Sequence, residues 1–245
     1  MVTKRAKFAE KRSKPGRIHA VLGALGRDIA REIIPAGAVL PPEHELESRF
    51  GVGRGVVREA IKTLSGKGLV SVRPRHGTRV LPRRDWSLLD RDVLNWLVGE
   101  DKPDRKLLLA VQEVRLIIEP AAAALAAANA TDADKELLRE KLERMKAANA
   151  GHFDPVSADI AFHATILEIS HNRFFHQLTP IIETALRFSI RLTNKVKGTL
   201  PDYEAHERIY RAIRNGNADV AFRSCRELIK EALMLVIKTD KASTP

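Results

Sequence analysis

The chain has 245 residues, 44 % hydrophobic and 30 % charged, with a net charge of +11 and one cysteine, Cys225. That is enough for two packed domains with a soluble surface, and the lone cysteine excludes an intrachain disulfide framework and fits a reducing cytoplasm. No apolar run approaches the roughly 20 residues needed to cross a bilayer. The charge is uneven: residues 1–84 carry 19 Lys and Arg against 7 Asp and Glu, whereas residues 85–245 are close to neutral. A basic first third points to a polyanion partner and leaves the remainder free for another task.

In chain order, residues 1–16 read as a basic tail able to touch phosphate, without the apolar centre of a signal peptide. Apolar residues at Ile18, Val21, Leu22, Leu25, Ile29 and Ile33 predict a helix over 17–34, although Gly23 and Gly26 each weaken it by about 1 kcal/mol. Pro41-Pro42-Glu43 opens a second helix that reaches Phe50, and Gly51 supplies a sharp turn. A third helix spans about 53–67. Residues 69–73 and 78–81 alternate as short strands about a Pro74–Gly77 turn. Leu46, Phe50, Val57, Ile61, Leu64 and Leu69 are the expected core. Residues 83–87 read as a linker. Beyond it the periodicity is helical, with helices expected near 107–129 (kinked at Pro120), 133–148, 154–170, 172–196, 201–215 and 219–238.

The first of these regions has the order helix, turn, helix, wing. Arg54 and Arg58 lie one turn apart on the third helix and so can enter one groove, where arginine reads guanine or pairs with phosphate. Arg75, His76 and Gly77 put charge and a bare backbone at the wing tip. The segments LPPEHEL (40–46), FGVGRGVVREAIKTL (50–64) and GLVxxRxxxGTxV (68–80) resemble the winged-helix domain of GntR-family bacterial transcription regulators over residues 17–81. The resemblance implies that His44, Arg54, Arg58, Arg75, His76 and Gly77 contact operator DNA. One departure stands out: the family usually flanks the first recognition arginine with Ser and Thr, and this chain has Gly53 and Gly55. Two hydroxyls that can cap a helix or bond phosphate are missing.

In the second region, Asp159 and His163 share a helix face at i and i+4, with His206 on a later helix. A carboxylate and imidazoles so placed can reach one divalent cation, or pair with each other, or hydrogen-bond a polyol. Arg115 and Arg187 sit in apolar stretches and suit a carboxylate, with ion pairs to Glu119 and Glu183 as the alternative. Asn172 is a pocket residue or a cap. EVRLIIEP (113–120), DIAFHATILEISHN (159–172) and HERIYRAIRNGNAD (206–219) resemble the all-helical FCD effector domain of the FadR subfamily. That resemblance implies an effector site of Arg115, Asp159, His163, Asn172, Arg187 and His206, and a metal (zinc or similar) on Asp159, His163 and His206. A fourth histidine ligand would fall near Leu228, which cannot ligate, and Cys225 lies about one turn earlier. The junction WSLLDRDVLNW (86–96) resembles regulators of sugar-acid catabolism.

The expected architecture is mainly α: a winged helix-turn-helix domain over 17–82, a linker at 83–87 and an all-helical effector and dimerisation domain over 88–240. The expected function is a cytoplasmic homodimeric repressor whose operator binding answers to a small carboxylate. Two alternatives compete with it. An architectural DNA protein leaves the polar residues of the second region without a purpose. A metal-dependent hydrolase lacks a visible Ser–His pair, HExxH or phosphate loop, so no enzyme is expected.

Overall fold

The computed structural model describes residues 15–98, 105–187 and 202–241; residues 1–14 of the basic tail expected over 1–16 and the end of the helix expected at 172–196 lie outside the described residues, and Pro15 and Gly16 open α1. The chain divides into two compact units, Met1–Gly99 and Glu100–Pro245.

The first unit contains α1 (Pro15–Ala30), α2 (Glu43–Phe50), α3 (Arg54–Gly66), β1 (Val70–Arg73), β2 (Gly77–Val80), a 3-10 turn (Arg83–Asp85) and α4 (Arg91–Val98). Helix α1 packs on α3 and α4, and α2 packs on α3. Gly51 ends α2 in the left-handed region at φ 60, which allows the chain to turn directly into α3. The wing strands pair antiparallel with Val70 opposite Val80. Val39 makes an isolated antiparallel bridge to Arg79, so the loop before α2 runs beside β2 of the two-stranded wing. Leu25, Ile29, Leu46, Val57, Leu64 and Leu69 are buried as the core, whereas Phe50 is only half-buried.

Helix α1 is shorter than its apolar stripe suggests. It stops at Ala30, Glu32 takes φ 59, and the Ile34 N–H bonds back to the Asp28 carbonyl, which leaves Ile33 67 % exposed. Gly26 has a packing reason. A Cβ on Gly26 would lie 2.6 Å from the Trp96 ring, so the indole of α4 rests directly on the α1 backbone. Residues 91–98 thus belong with the first unit, although the sequence reading placed everything after 87 with the second. Lys67, the C-cap of α3, reinforces the attachment with ion pairs of 2.6 Å to Asp90 and 2.9 Å to Asp92. Asp90 in turn accepts from the Asp92 and Val93 N–H groups at the start of α4.

The second unit contains α5 (Arg105–Asn129), α6 (Asp132–Asn149), α7 (Pro155–Ile169), α8 (Arg173–Gln177), α9 (179–187), α10 (Tyr203–Arg214) and α11 (Ala218–Lys241). The starts of several helices are explained by their caps. Thr131 and Asp134 form a capping box for α6; Asp154 caps α7 with Pro155 behind it; Asp202 caps α10. The helix expected over 172–196 is interrupted at Leu178, because Asn172 caps a single short turn before α9 begins. Helix α5 runs through Pro120 without ending. Its small residues Ala122, Ala123, Ala126 and Ala127 are buried in the core, and α5 packs against α7, α10 and α11. Helix α7 is buried nearly all round, from Ala158 to Ile169. It therefore presents Asp159 and His163 to the interior and not to solvent.

Both tryptophans, Trp86 and Trp96, lie in the first unit, so tryptophan fluorescence in the intact chain reports that unit's unfolding. Gly26→Ala is expected to destabilise it by about 1–3 kcal/mol, the usual cost of overpacking. Gly66→Ala, where an added Cβ meets nothing within 4 Å, is expected to be neutral or to stabilise by up to about 1 kcal/mol. Equal urea midpoints for the two variants would remove the packing role assigned to Gly26.

Candidate functional site

Two sets of side chains stand out, one in each unit. In the first unit, Arg54 opens α3 and Arg58 follows one turn later, with side chains 67 % and 62 % exposed. One carboxylate holds both. Arg54 Nε donates to Glu43 Oε2 at 2.9 Å, and Arg58 Nε donates to Oε1 at 3.2 Å. Using Nε for this contact leaves the terminal nitrogens of each fork as the ones that can reach a base edge or a phosphate. The hydrogen bond from Arg54 is the main cause that holds the Glu43 carboxyl below its ordinary range. Gly53, the N-cap of α3, makes no side-chain cap bond, as its lack of a hydroxyl requires.

His44 is exposed in the first turn of α2, beside Glu43. Arg75, His76 and Gly77 form the exposed wing tip. Arg75 has φ 64 and Gly77 φ 77, and the His76 N–H closes the turn onto the Arg73 carbonyl at 3.1 Å. Glu43 was missed in the sequence. Its signal was the acid at the first turn of the helix preceding the recognition arginines.

In the second unit, α7 and α10 bring Asp159, His163 and His206 together in the interior, with one ligand atom of each within 4.8 Å of the others. His206 Nε2 lies 3.1 Å from Asp159 Oδ1 and 3.2 Å from His163 Nε2. The opposite nitrogens both face protein oxygens. His206 Nδ1 donates to the Asp202 carbonyl at 2.6 Å, and His163 Nδ1 lies against Glu119 Oε2. With both Nδ1 atoms facing acceptors, both Nε2 lone pairs converge with a carboxylate on one spot. Such a cluster is repulsive unless a proton or a metal cation occupies it, and it is the donor set a zinc-like ion takes. Burial works against the charged form of His206, but the Asp159 hydrogen bond and charge outweigh it and its pKa is raised. Burial likewise opposes ionised Asp159, but His206 and His163 keep its pKa lowered.

The other expected effector residues fall differently. Arg115 is buried on α5, where it donates to Glu119 and, at 3.3 Å, to Gln112. The ion pair with Glu119 considered from the sequence is therefore formed, in the interior and not at the surface. Burial would raise the Glu119 pKa, but the charges of Arg115 and His163 lower it to about 2. Asn172 spends its side-chain oxygen on the Phe174 and Phe175 N–H groups as the cap of α8. Arg187 is exposed at the end of the described part of α9. Leu228 is half-buried against the hydrophobic core. Cys225 is fully buried, and burial together with the Glu119 charge pushes its thiol well up; it is not part of the ligand cluster found among the described residues. Glu119 and Gln112 were the residues missed as part of the site. Their signal was polar side chains at i+4 and i−3 from Arg115 in an apolar helix.

The pattern of the family "Bacterial regulatory proteins, gntR family" matches residues 18–80, and that of the FCD domain matches residues 110–231. The chain is 34 % identical over 196 residues to the "Uncharacterized HTH-type transcriptional regulator YieP" of Escherichia coli (strain K12), covering 79 % of this chain and 84 % of that one. It is 32 % identical over 207 residues to the "Galactonate operon transcriptional repressor" of the same organism, covering 84 % of this chain and 90 % of that one. The solved structure of Lar, which controls the expression of the Listeria monocytogenes agr system, shares the fold at a TM-score of 0.61 and 19 % identity, over 90 % of this chain and 96 % of that one. A winged helix that presents two arginines, joined to a helical unit with a buried ligand cluster, thus carries both sequence patterns in the expected order, and the chain belongs to the GntR family of bacterial DNA-binding transcription regulators, with an FCD effector domain.

Proposed function

We propose that this regulator is a dimeric, cytoplasmic repressor, without enzymatic activity, that leaves its operator when a small monocarboxylate of the sugar-acid class binds the second unit. The observation that carries this reading is the convergence of His163 Nε2, His206 Nε2 and Asp159 Oδ1 in the interior of the helical unit. Burying three such groups in an apolar bundle is costly, and a cation shared among them offsets that cost. Asp159, His163 and His206 would hold a divalent cation, and Leu228, near where the resemblance puts a fourth ligand, would contribute no donor. When bound, the cation supplies a Lewis-acid anchor for a carboxylate oxygen. Arg115 acts through Glu119 in this reading and does not clamp the effector directly.

The similarity to a galactonate operon repressor favours an aldonate as the effector. Among the described residues no helix is long and apolar enough to cross a membrane. On DNA, Arg54 and Arg58 enter the major groove while His44 and the Arg75–Gly77 tip touch the backbone and the neighbouring minor groove. Release is a population shift: effector binding favours a state whose two reading heads no longer match half-sites about one helical turn apart.

In a mobility-shift assay, Arg58→Ala is expected to lower specific operator affinity by about 1–3 kcal/mol and to relax the base preference at one position. Unchanged specific binding would remove α3 as the reading helix. Across a panel of hexonates and other small acids, at least one aldonate is expected to weaken the wild-type shift. If no acid changes DNA affinity, the effector reading fails.

Chelator-treated protein offers a separate check. His206 has a raised pKa in the folded chain, so its pairing with Asp159 stabilises fully below the ordinary histidine value of about 6.5 and is lost as pH rises through the raised value. The melting temperature of the metal-free second unit is therefore expected to fall as pH rises above about 6.5. His206→Asn is expected to flatten that slope. An equal slope in the variant would mean that another group controls it.

A further inference from the structure

We propose that Glu119 is a positioning residue that decides which nitrogen of His163 faces the metal position, and that Arg115 holds Glu119 to that task. The proposal rests on the reading of Asp159, His163 and His206 as a metal site. Glu119 shares one face of α5 with Gln112 and Arg115, and all three side chains are buried. Its two oxygens have separate partners. Oε1 accepts from Arg115 Nε, and Oε2 lies against His163 Nδ1. An ionised carboxylate only accepts hydrogen bonds. The hydrogen of neutral His163 must then sit on Nδ1, and the Nε2 lone pair is turned toward His206 and Asp159. The Arg115 guanidinium against Oε1 keeps Glu119 an ionised acceptor in the interior.

Arg115 contributes in two ways. It neutralises a carboxylate that burial alone would discharge, and it ties Oε1 so that Oε2 cannot swing away from the imidazole. Gln112, which accepts from Arg115 at 3.3 Å, steadies the guanidinium. The chain Gln112–Arg115–Glu119–His163 is thus one line of donors and acceptors whose direction is set by the guanidinium at its centre.

The substitution Glu119→Gln reverses the last link. The Gln carbonyl stays with Arg115, which has only donors to offer, and the amide nitrogen takes the place of Oε2. It then donates to His163 Nδ1, and the hydrogen of His163 moves to Nε2, where it points at the metal position.

The test uses the full-length protein, with Zn2+ and Mn2+ as probes. Long-range proton–nitrogen NMR of the metal-free protein reads the tautomer, and a His163→Gln variant assigns the signals. Calorimetry reads metal affinity. Wild type is expected to show the Nδ1–H form of His163. Glu119→Gln is expected to show the Nε2–H form and about 10- to 100-fold weaker metal binding. Because Glu119→Gln also leaves a buried guanidinium without its carboxylate, a lower melting temperature is expected and proves nothing by itself. The double variant Arg115→Met/Glu119→Met removes both charges. It is expected to recover melting temperature but not metal affinity.

The proposal is overturned if Glu119→Gln keeps the Nδ1–H form or binds metal as wild type does. It is also overturned if the double variant regains metal affinity along with stability, which is what a purely structural pair would do. If wild type binds neither ion, the metal reading of the trio fails, and the tautomer comparison still decides whether Glu119 sets His163.

Discussion

A guanidinium, two carboxylates and two imidazoles share the interior of a helical unit whose other interior residues are mostly alanine, leucine and isoleucine. In such a place a charge is tolerated only when its partners are already aimed at it. Each of the five has one. Arg115 and Glu119 neutralise each other, Glu119 meets His163, and Asp159 with the Asp202 carbonyl holds His206. The requirement reaches back into the helix architecture. Helix α5 must pass close to α7 for Glu119 to meet His163, and α10 must begin at Asp202 for His206 to find that carbonyl. The caps and small residues that fix those helices are in effect parts of the polar cluster.

The first unit solves a related problem at its surface. Two arginines one turn apart repel, and long side chains lose entropy when they are held for a groove. A single glutamate on the preceding helix engages both through their Nε atoms. This pairing is exposed, so it contributes little to stability. Its effect is on where the two forks point before DNA arrives. The absence of hydroxyls at Gly53 and Gly55 makes the glutamate the side chain that anchors the start of α3.

Much of this was legible in the order of residues. The helix-turn-helix-wing succession, the Arg54/Arg58 pair and the Asp159/His163 pair follow from period and spacing, His206 was a candidate third ligand by residue type, and the family resemblance joined it to the other two. A local signal also gave Gly51 its role, because left-handed turns are decided within a few residues. What escaped depends on distant partners. Gly26 looked like a flaw in α1 until Trp96, seventy residues later, was seen resting on it. The stripe that suggested a helix to Ile34 could not show that the backbone reverses at Glu32. Arg115 looked like a hand for a ligand because its i+4 neighbour gave no indication of whether the pair faced water or the interior.

The fastening of α4 has a mechanical consequence. Lys67, the C-cap of α3, pairs with Asp90 and Asp92 at the start of α4, and the Trp96 ring lies on α1. Eight residues of helix make a rod about 12 Å long. A pull applied at Val98 therefore does not bend the chain near Ser87, where the sequence placed the linker. It is carried straight into α1 and α3, the helices on which Arg54, Arg58 and the wing are mounted.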